Sequence, residues 1–108
     1  MTDAELLKML EINLEIVTDF MDADSVSDLE AELTLYLESA KRFISLEGIK
    51  LDQDDFGDCQ LIIMYSAWLY ERRRGPATVG YGAAFPQPMP RMLRWNLNNR
   101  LYSQKVEE

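Results

Sequence analysis

The sequence predicts an all-α protein, a small bundle of about four helices, and three observations favour this class. Capping boxes pair Thr2 with Glu5 and Ser27 with Glu30. Apolar residues of the first half recur at helical spacing, and only a possible hairpin at 80–82 has a strand's period. The 108 residues suffice for one domain. We expect two long antiparallel helices, a short N-terminal helix and a C-terminal helix after a long flexible loop.

The N-terminal helix is predicted to begin at Thr2 and to end near Glu11 or Ile12. Its apolar side is built from four residues: Leu6, Leu7, Met9 and Leu10. Residues 12–23 mix β-branched side chains with aspartates, which is typical of an irregular connection.

The second helix is predicted to run from the capping box at Ser27 to Gly48, a natural C-terminal stop. At 100° per residue its apolar side chains form a stripe about 120° wide. The stripe comprises Leu29, Leu33, Tyr36, Leu37, Ala40, Phe43 and Ile44. Leu35 and Leu46 lie together away from it, so they are candidates for a second contact.

The third helix is predicted to follow a loop at 49–55, with Asp54 or Asp55 as its cap, and to end near Arg74 before Gly75 and Pro76. Its middle, residues 61–70, is apolar nearly all the way round. Few helices of so small a protein can be surrounded on every side, so we expect another chain to cover part of it. The candidate contact residues there are Tyr65 and Trp68, although Trp68 also suits the core.

Residues 75–88 are predicted to form a mobile loop, since they are rich in glycine, alanine and proline. The loop carries Val79, Tyr81 and Phe85, which we expect to dock onto a partner or a neighbouring copy.

The final helix is predicted to have Pro90 as its first residue. One side of it carries the leucines Leu93, Leu97 and Leu101. A different side carries Arg91, Trp95 and Tyr102, a composition enriched at interfaces. A partly buried surface aromatic is the alternative for Trp95. The tail from Ser103 is polar and is expected to fray.

The composition argues against an enzyme and against a membrane protein. The chain has no histidine, which is the commonest general base and transition-metal ligand. The lone Cys59 lacks a histidine to activate it and is expected to be a small buried hydrophobe. The apolar stretch 61–70 is far shorter than the ~20 residues of a membrane span. The N-terminus has no signal segment, so we expect a cytoplasmic protein without cofactor or metal.

Charge is unevenly distributed along the chain. Residues 1–58 hold sixteen Asp or Glu against four Lys or Arg, a net of −12, whereas residues 59–108 hold three against seven, a net of +4. Such a sequence suggests an acidic face that meets a basic face within the fold, or copies that meet head to tail. Solvated faces on a soluble domain are the alternative.

Two charged clusters could carry chemistry. Residues 52–58 resemble a calcium loop with Gly57 at its sixth position, but Ile63 stands where the bidentate glutamate belongs, so a helix cap is favoured. The arginines at 72–74 suit a helix C-terminus or a subunit contact. Alternatively they form a phosphate-binding patch with four other cations: Arg91, Arg94, Arg100 and Lys105.

Three stretches resemble the head–tail connector (adaptor, head-completion) proteins of long-tailed phages and prophages. They are 28–49 (DLEAELTLYLESAKRFISLEGI), 61–74 (LIIMYSAWLYERRR) and 89–105 (MPRMLRWNLNNRLYSQK). Most telling is the apolar helix that ends in Tyr-Glu-Arg-Arg, then a loose loop, then Met-Pro-Arg-Met-Leu with Leu-Asn-Asn-Arg-Leu behind it. The resemblance covers roughly residues 27–105.

The resemblance implies a virion structural subunit without catalytic residues. It implies a ring of about a dozen copies beneath the portal protein, with DNA passing through the lumen and a platform for head-completion or tail proteins. The subunit would reside in the host cytoplasm during assembly and at the head–tail junction afterwards. We expect the carboxylates of residues 19–38 to line the lumen, where they would repel DNA phosphate.

Two rival functions stay open. One is a small nucleic-acid-binding or DNA-packaging accessory protein that uses the basic C-terminal half. The other is an enzyme that uses only carboxylates and tyrosines, which would need a pocket holding a carboxylate of shifted pKa.

Overall fold

Four helices follow one another along the chain: α1 (Asp3–Asn13), α2 (Ala23–Leu46), α3 (Phe56–Val79) and α4 (Arg91–Glu107). The structure is a computed structural model that describes residues 1–79 and 88–107, with side chains for 1–72 and 88–105. Those residues contain no strand, so the predicted all-α bundle is confirmed. None of these helices, as far as they are described, is long and apolar enough to cross a membrane.

Helix α1 begins with the predicted capping box. The Thr2 hydroxyl accepts a hydrogen bond from the Glu5 amide at 3.2 Å, and the Thr2 amide donates to the Glu5 carboxylate at 3.1 Å. The helix ends in a Schellman turn, in which the Ile16 amide donates to the Glu11 carbonyl at 3.0 Å. Glu15 occupies the left-handed position of that turn with φ 57°. The turn gives the connection 14–22 a defined direction as it leaves the helix.

Helix α2 begins at Ala23, four residues before Ser27, which was predicted to cap it. The carboxylate of Asp22 accepts a hydrogen bond from the Ser25 amide at 2.7 Å, so Asp22 is the cap and Ser27 lies inside the helix. The predicted stop is confirmed, since Gly48 adopts φ 100° immediately after the helix. Four of the predicted stripe residues are fully buried, namely Leu33, Leu37, Ala40 and Ile44.

Helix α3 has the predicted cap but not the predicted end. The Asp58 amide donates to the Asp55 carboxylate at 2.9 Å, which makes Asp55 the cap. The helix continues through Gly75 and Pro76 to Val79, so the prediction that it ends near Arg74 was wrong. Pro76 has the fixed φ of a helical residue but removes one backbone hydrogen bond from the last turns of α3. Residues 80–87, with the possible hairpin and the mobile loop predicted there, lie outside the described residues.

The bundle is built around α3. Helices α2 and α3 are antiparallel, since Phe43 stacks on Tyr65 and Tyr36 meets Tyr70 edge to face. Helices α1 and α4 pack on its other sides. Every residue of 61–70 is buried or partly buried within the one chain. The expectation that another chain must cover part of this apolar stretch was therefore wrong, because α1 covers a side that the sequence pattern left unassigned.

Helix α4 begins at Arg91, and Pro90 caps it by accepting the Arg94 amide at 3.1 Å. Leu93 and Leu97 are buried, as predicted. The helix reaches Glu107, and the expected fraying from Ser103 stays a prediction. The Gln104 side-chain amide donates to the Lys50 carbonyl at 2.8 Å and accepts the Lys50 amide at 3.1 Å. These bonds tie the last turns of α4 to the α2–α3 loop.

Candidate functional surfaces

A buried ion pair attaches α4 to the start of α3. The Asp58 side chain is fully buried, and the Arg100 guanidinium donates to its two oxygens at 2.7 and 3.1 Å. The Asp52 amide donates to the same carboxylate at 3.0 Å. Such a bidentate pair between groups 42 positions apart fixes the position of one helix on another.

In the acidic segment 52–58, three aspartate carboxylates accept hydrogen bonds from nearby backbone amides. Besides the bonds of Asp55 and Asp58, the Asp52 carboxylate accepts the Asp54 amide at 2.9 Å. These bonds agree with the favoured reading of the segment as a helix cap. Among the described residues, no group of three thiol or carboxylate side chains is placed to hold a metal ion.

Two of the predicted phosphate-binding arginines have intramolecular partners. Arg100 pairs with Asp58, and Arg94 pairs with the Glu47 carboxylate. The Arg72 guanidinium lies over the Trp68 ring, 5.4 Å from its centre. The side chains of the other two arginines in 72–74 lie outside the described residues. The predicted patch is therefore not one continuous array of free cations.

The exposed side of α4, which we call the basic surface, carries Arg91, Met92, Trp95, Tyr102 and Lys105. Trp95 is 63% exposed and Tyr102 is 69% exposed. The predicted grouping of these two aromatics with Arg91 is borne out, since they share the side opposite the buried leucines. Residues 88–105 contain no Asp or Glu, so no carboxylate of this segment neutralises the surface.

A second exposed surface, which we call the acidic surface, lies on the α1–α2 connection and carries Glu15, Val17, Asp19, Phe20 and Asp24. Phe20 is 95% exposed, more than any other large apolar side chain that the structure describes. Between residues 9 and 40 the sequence has nine Asp or Glu and neither Lys nor Arg. Sequence reasoning missed Phe20, because an isolated aromatic in an irregular acidic segment belongs to no periodic pattern.

Of the two predicted contact residues on α3, Tyr65 belongs to the core. It is 7% exposed and packs between Phe43 and Trp68, with ring centres 6.2 and 5.5 Å away. Burial raises the pKa of its phenol, and the nearby Glu47 carboxylate raises it further. Trp68 is partly buried beneath Arg72. Tyr65 is therefore buried, whereas Trp68 keeps part of its surface exposed, and its role as a contact stays a prediction.

The remaining predicted contact residues divide into described and undescribed ones. Leu35 and Leu46 are 64% and 71% exposed on α2, away from its buried stripe, as predicted. Tyr81 and Phe85 lie outside the described residues, as does the side chain of Val79. The role of all five as contacts stays a prediction.

A small apolar groove lies between α1 and α3. It has a volume of about 220 Å³, and its walls include Met9, Ile12, Ile63 and Met64. At its base, the Cys59 thiol is buried and donates to the Gln53 carbonyl at 3.0 Å, which confirms the prediction of a small buried side chain.

No family model, curated protein or solved structure matches this chain. The resemblance to head–tail connectors therefore stays a prediction, and the functional argument rests on the residues and surfaces described above.

Proposed function

We propose that the chain is a non-enzymatic structural subunit that assembles into a ring, in the manner of the head–tail connectors that its sequence resembles. The observation that carries this proposal is the pair of exposed surfaces of opposite charge. Each combines charged residues with large apolar side chains, Phe20 on the acidic surface and Trp95 with Tyr102 on the basic one. Exposed aromatic residues ringed by charge are typical of protein interfaces.

Two unlike surfaces favour a ring over a simple dimer. When one surface of a copy binds a different surface of the next, the growing chain keeps one free surface at each end, one of each kind. Association then continues until the ring closes. A ring of about a dozen copies beneath the portal protein would leave a lumen for DNA and a platform for a head-completion or tail protein. Exposed carboxylates of α2, including Asp28 and Glu38, are suited to line such a lumen, because they repel phosphate.

Because the chain's own helices cover α3, we assign the contact between copies to other residues. Residues 61–70 stabilise the fold rather than the ring, so the contact between copies falls to the two charged surfaces. Leu35 and Leu46 are left as candidates for a portal or tail partner. The predicted role of segment 75–88 as the contact with the portal stays a prediction. The first five residues of this segment belong to α3.

The alternative of a nucleic-acid-binding protein is weakened by the ion pairs of Arg94 and Arg100. A guanidinium that already binds a carboxylate must break that pair to neutralise a phosphate. The described cations left without a carboxylate on α4 are Arg91 and Lys105, fewer than the six to ten contacts typical of strong phosphate binding.

Binding of a fluorescent duplex DNA, measured over a series of salt concentrations, separates the two functions. A connector subunit is expected to bind more weakly than about 100 μM at physiological salt, the weak end of non-specific DNA binding. Micromolar affinity that falls with a logarithmic salt slope near −4 or steeper would favour the nucleic-acid function, since it means release of about four or more counterions. The variant Arg91→Glu with Lys105→Glu is the control, because it should abolish such binding if the basic surface causes it.

A further inference from the structure

We propose that the acidic surface of one copy binds the basic surface of the next, with Phe20 packed against Trp95 and Tyr102. This inference rests on the proposed self-association and names the contact that produces it. It also assigns a role to Phe20, which the sequence patterns did not indicate.

The backbone around Phe20 holds the side chain outward. The Schellman turn at Glu15 sets the direction of the connection. The Met21 amide then donates to the Thr18 carbonyl at 3.0 Å, which closes a turn around Phe20. The cap at Asp22 anchors the other end to α2. An aromatic presented on a hydrogen-bonded turn loses little entropy on binding, so its burial in a contact favours association.

The charges around Phe20 favour a cationic partner. No lysine or arginine lies between residues 9 and 40, so the carboxylates there are not neutralised by the segment itself. At Glu11, partial burial raises the pKa of the carboxyl group, and repulsion by the neighbouring Glu30 adds to the rise. A basic surface brought against this region lowers the repulsion and gains attraction across the contact.

The basic surface offers the matching features. Arg91 and Lys105 are exposed and form no ion pair within the described part of the chain. Trp95 and Tyr102 provide two exposed aromatic faces between them. Tryptophan, tyrosine and arginine are the residues that most often dominate binding energy at interfaces. Phe20, with Asp19 beside it and Asp22 two residues on, is complementary to this set in charge and in aromatic character.

The two surfaces lie along different parts of α3. Because α2 and α3 are antiparallel, the connection before α2 lies towards the C-terminal end of α3. Helix α4 is held instead along the first half of α3, by Arg100 on Asp58 and by Arg94 on Glu47 beside Tyr65. The acidic and basic surfaces of one copy therefore lie along different parts of α3, which favours a contact between two copies.

Two variants, each with one surface broken, test this contact. The first carries Asp19→Lys with Phe20→Ser, and the second carries Arg91→Glu with Trp95→Ser. All four positions are exposed, so both variants should fold with the wild-type helix content by circular dichroism. Each variant alone is expected to be monomeric by size exclusion with light scattering. Their equimolar mixture should form a one-to-one complex that grows no further, because only one intact contact is possible between them.

A matched control carries the same kind of change elsewhere. Asp54→Lys with Phe56→Ser also alters an exposed aspartate and an exposed phenylalanine, outside both surfaces. This control is expected to associate like the wild-type protein. Loss of association in the control would mean that any such change disturbs the assembly, and would overturn the assignment to the two surfaces.

The outcomes separate this contact from the proposed function. If wild-type rings form and survive either double variant, the connector function stands and the contact is wrong. If the two variants pair one to one while the wild-type protein grows into open filaments, the contact stands and the ring function fails. The contact is overturned if the wild-type protein is monomeric at about 1 mM in low salt. It is also overturned if variants of the basic surface lose DNA binding but keep self-association.

Discussion

Asp58 is the residue whose burial most constrains the fold. Its carboxylate has no access to solvent and binds Arg100 at both oxygens. A pair of this kind contributes little net stability against an apolar replacement of both groups, but the loss of one partner leaves a buried charge without compensation. The position of α4 on α3 therefore depends on both side chains together.

Arg100→Met is expected to lower the free energy of unfolding by about 3–5 kcal/mol, because it leaves the buried Asp58 carboxylate unpaired. Urea denaturation followed by circular dichroism measures the change. Arg91→Met is the matched control on the same helix and should change stability by less than about 0.5 kcal/mol, since Arg91 is exposed. Equal losses for the two variants would contradict the assigned role of the buried pair.

Glu11 gives a prediction about pH. Partial burial and the neighbouring Glu30 raise its pKa above 4.5 in the folded state. A carboxyl group with a raised folded pKa contributes stability below its unfolded pKa, and this contribution is lost as pH rises through the folded pKa. Glu11→Gln should therefore match the wild-type stability near pH 3 and exceed it at pH 7.

Titration of the Glu11 carboxyl by NMR checks the cause of that shift. In the variant Glu30→Gln the pKa of Glu11 is expected to fall towards its ordinary value, because one source of repulsion is removed. A pKa of Glu11 at or below 4.5 in the wild-type protein would contradict the account.

For the helices, the sequence predictions succeed where the interacting residues are close together in the sequence and fail where they are far apart. Local spacing predicts the caps at Thr2 and Asp55 and the stop at Gly48, because each of these features involves only residues within four positions of its own place in the chain. The pair of Asp58 with Arg100 joins distant positions, and no local pattern contains it. Likewise Gln104 of α4 binds a loop more than fifty residues away.

The start of α2 supplies a prediction at this scale, because two caps compete in the sequence. Asp22→Ala is expected to lower the free energy of unfolding by about 1 kcal/mol, since Asp22 accepts the Ser25 amide. Ser27→Ala should be neutral or stabilise by a few tenths of a kcal/mol, since alanine has the higher helix propensity at an exposed interior position. Thermal or urea unfolding of both variants measures the difference. A larger loss for Ser27→Ala would restore the cap that the sequence pattern favoured.

For the whole molecule, the sequence predicted the number and order of the helices but not the burial of α3. Periodicity shows that residues 61–70 are apolar on every side, and it does not show how many neighbours cover them. In the structure three helices do so, which removes the apolar stretch as a reason for self-association. The reason that takes its place is the opposite charge of two exposed surfaces. One of them depends on Phe20, which only the structure reveals as exposed.

Light scattering of the purified protein over a concentration series measures whether copies of this chain associate head to tail into a closed ring. We expect growth from monomer to a species of about a dozen copies, without an intermediate plateau at the dimer, because each copy added before closure leaves the growing chain with one free surface of each kind. A stable dimer at every concentration would rule out head-to-tail assembly, since it means that one surface pairs with itself.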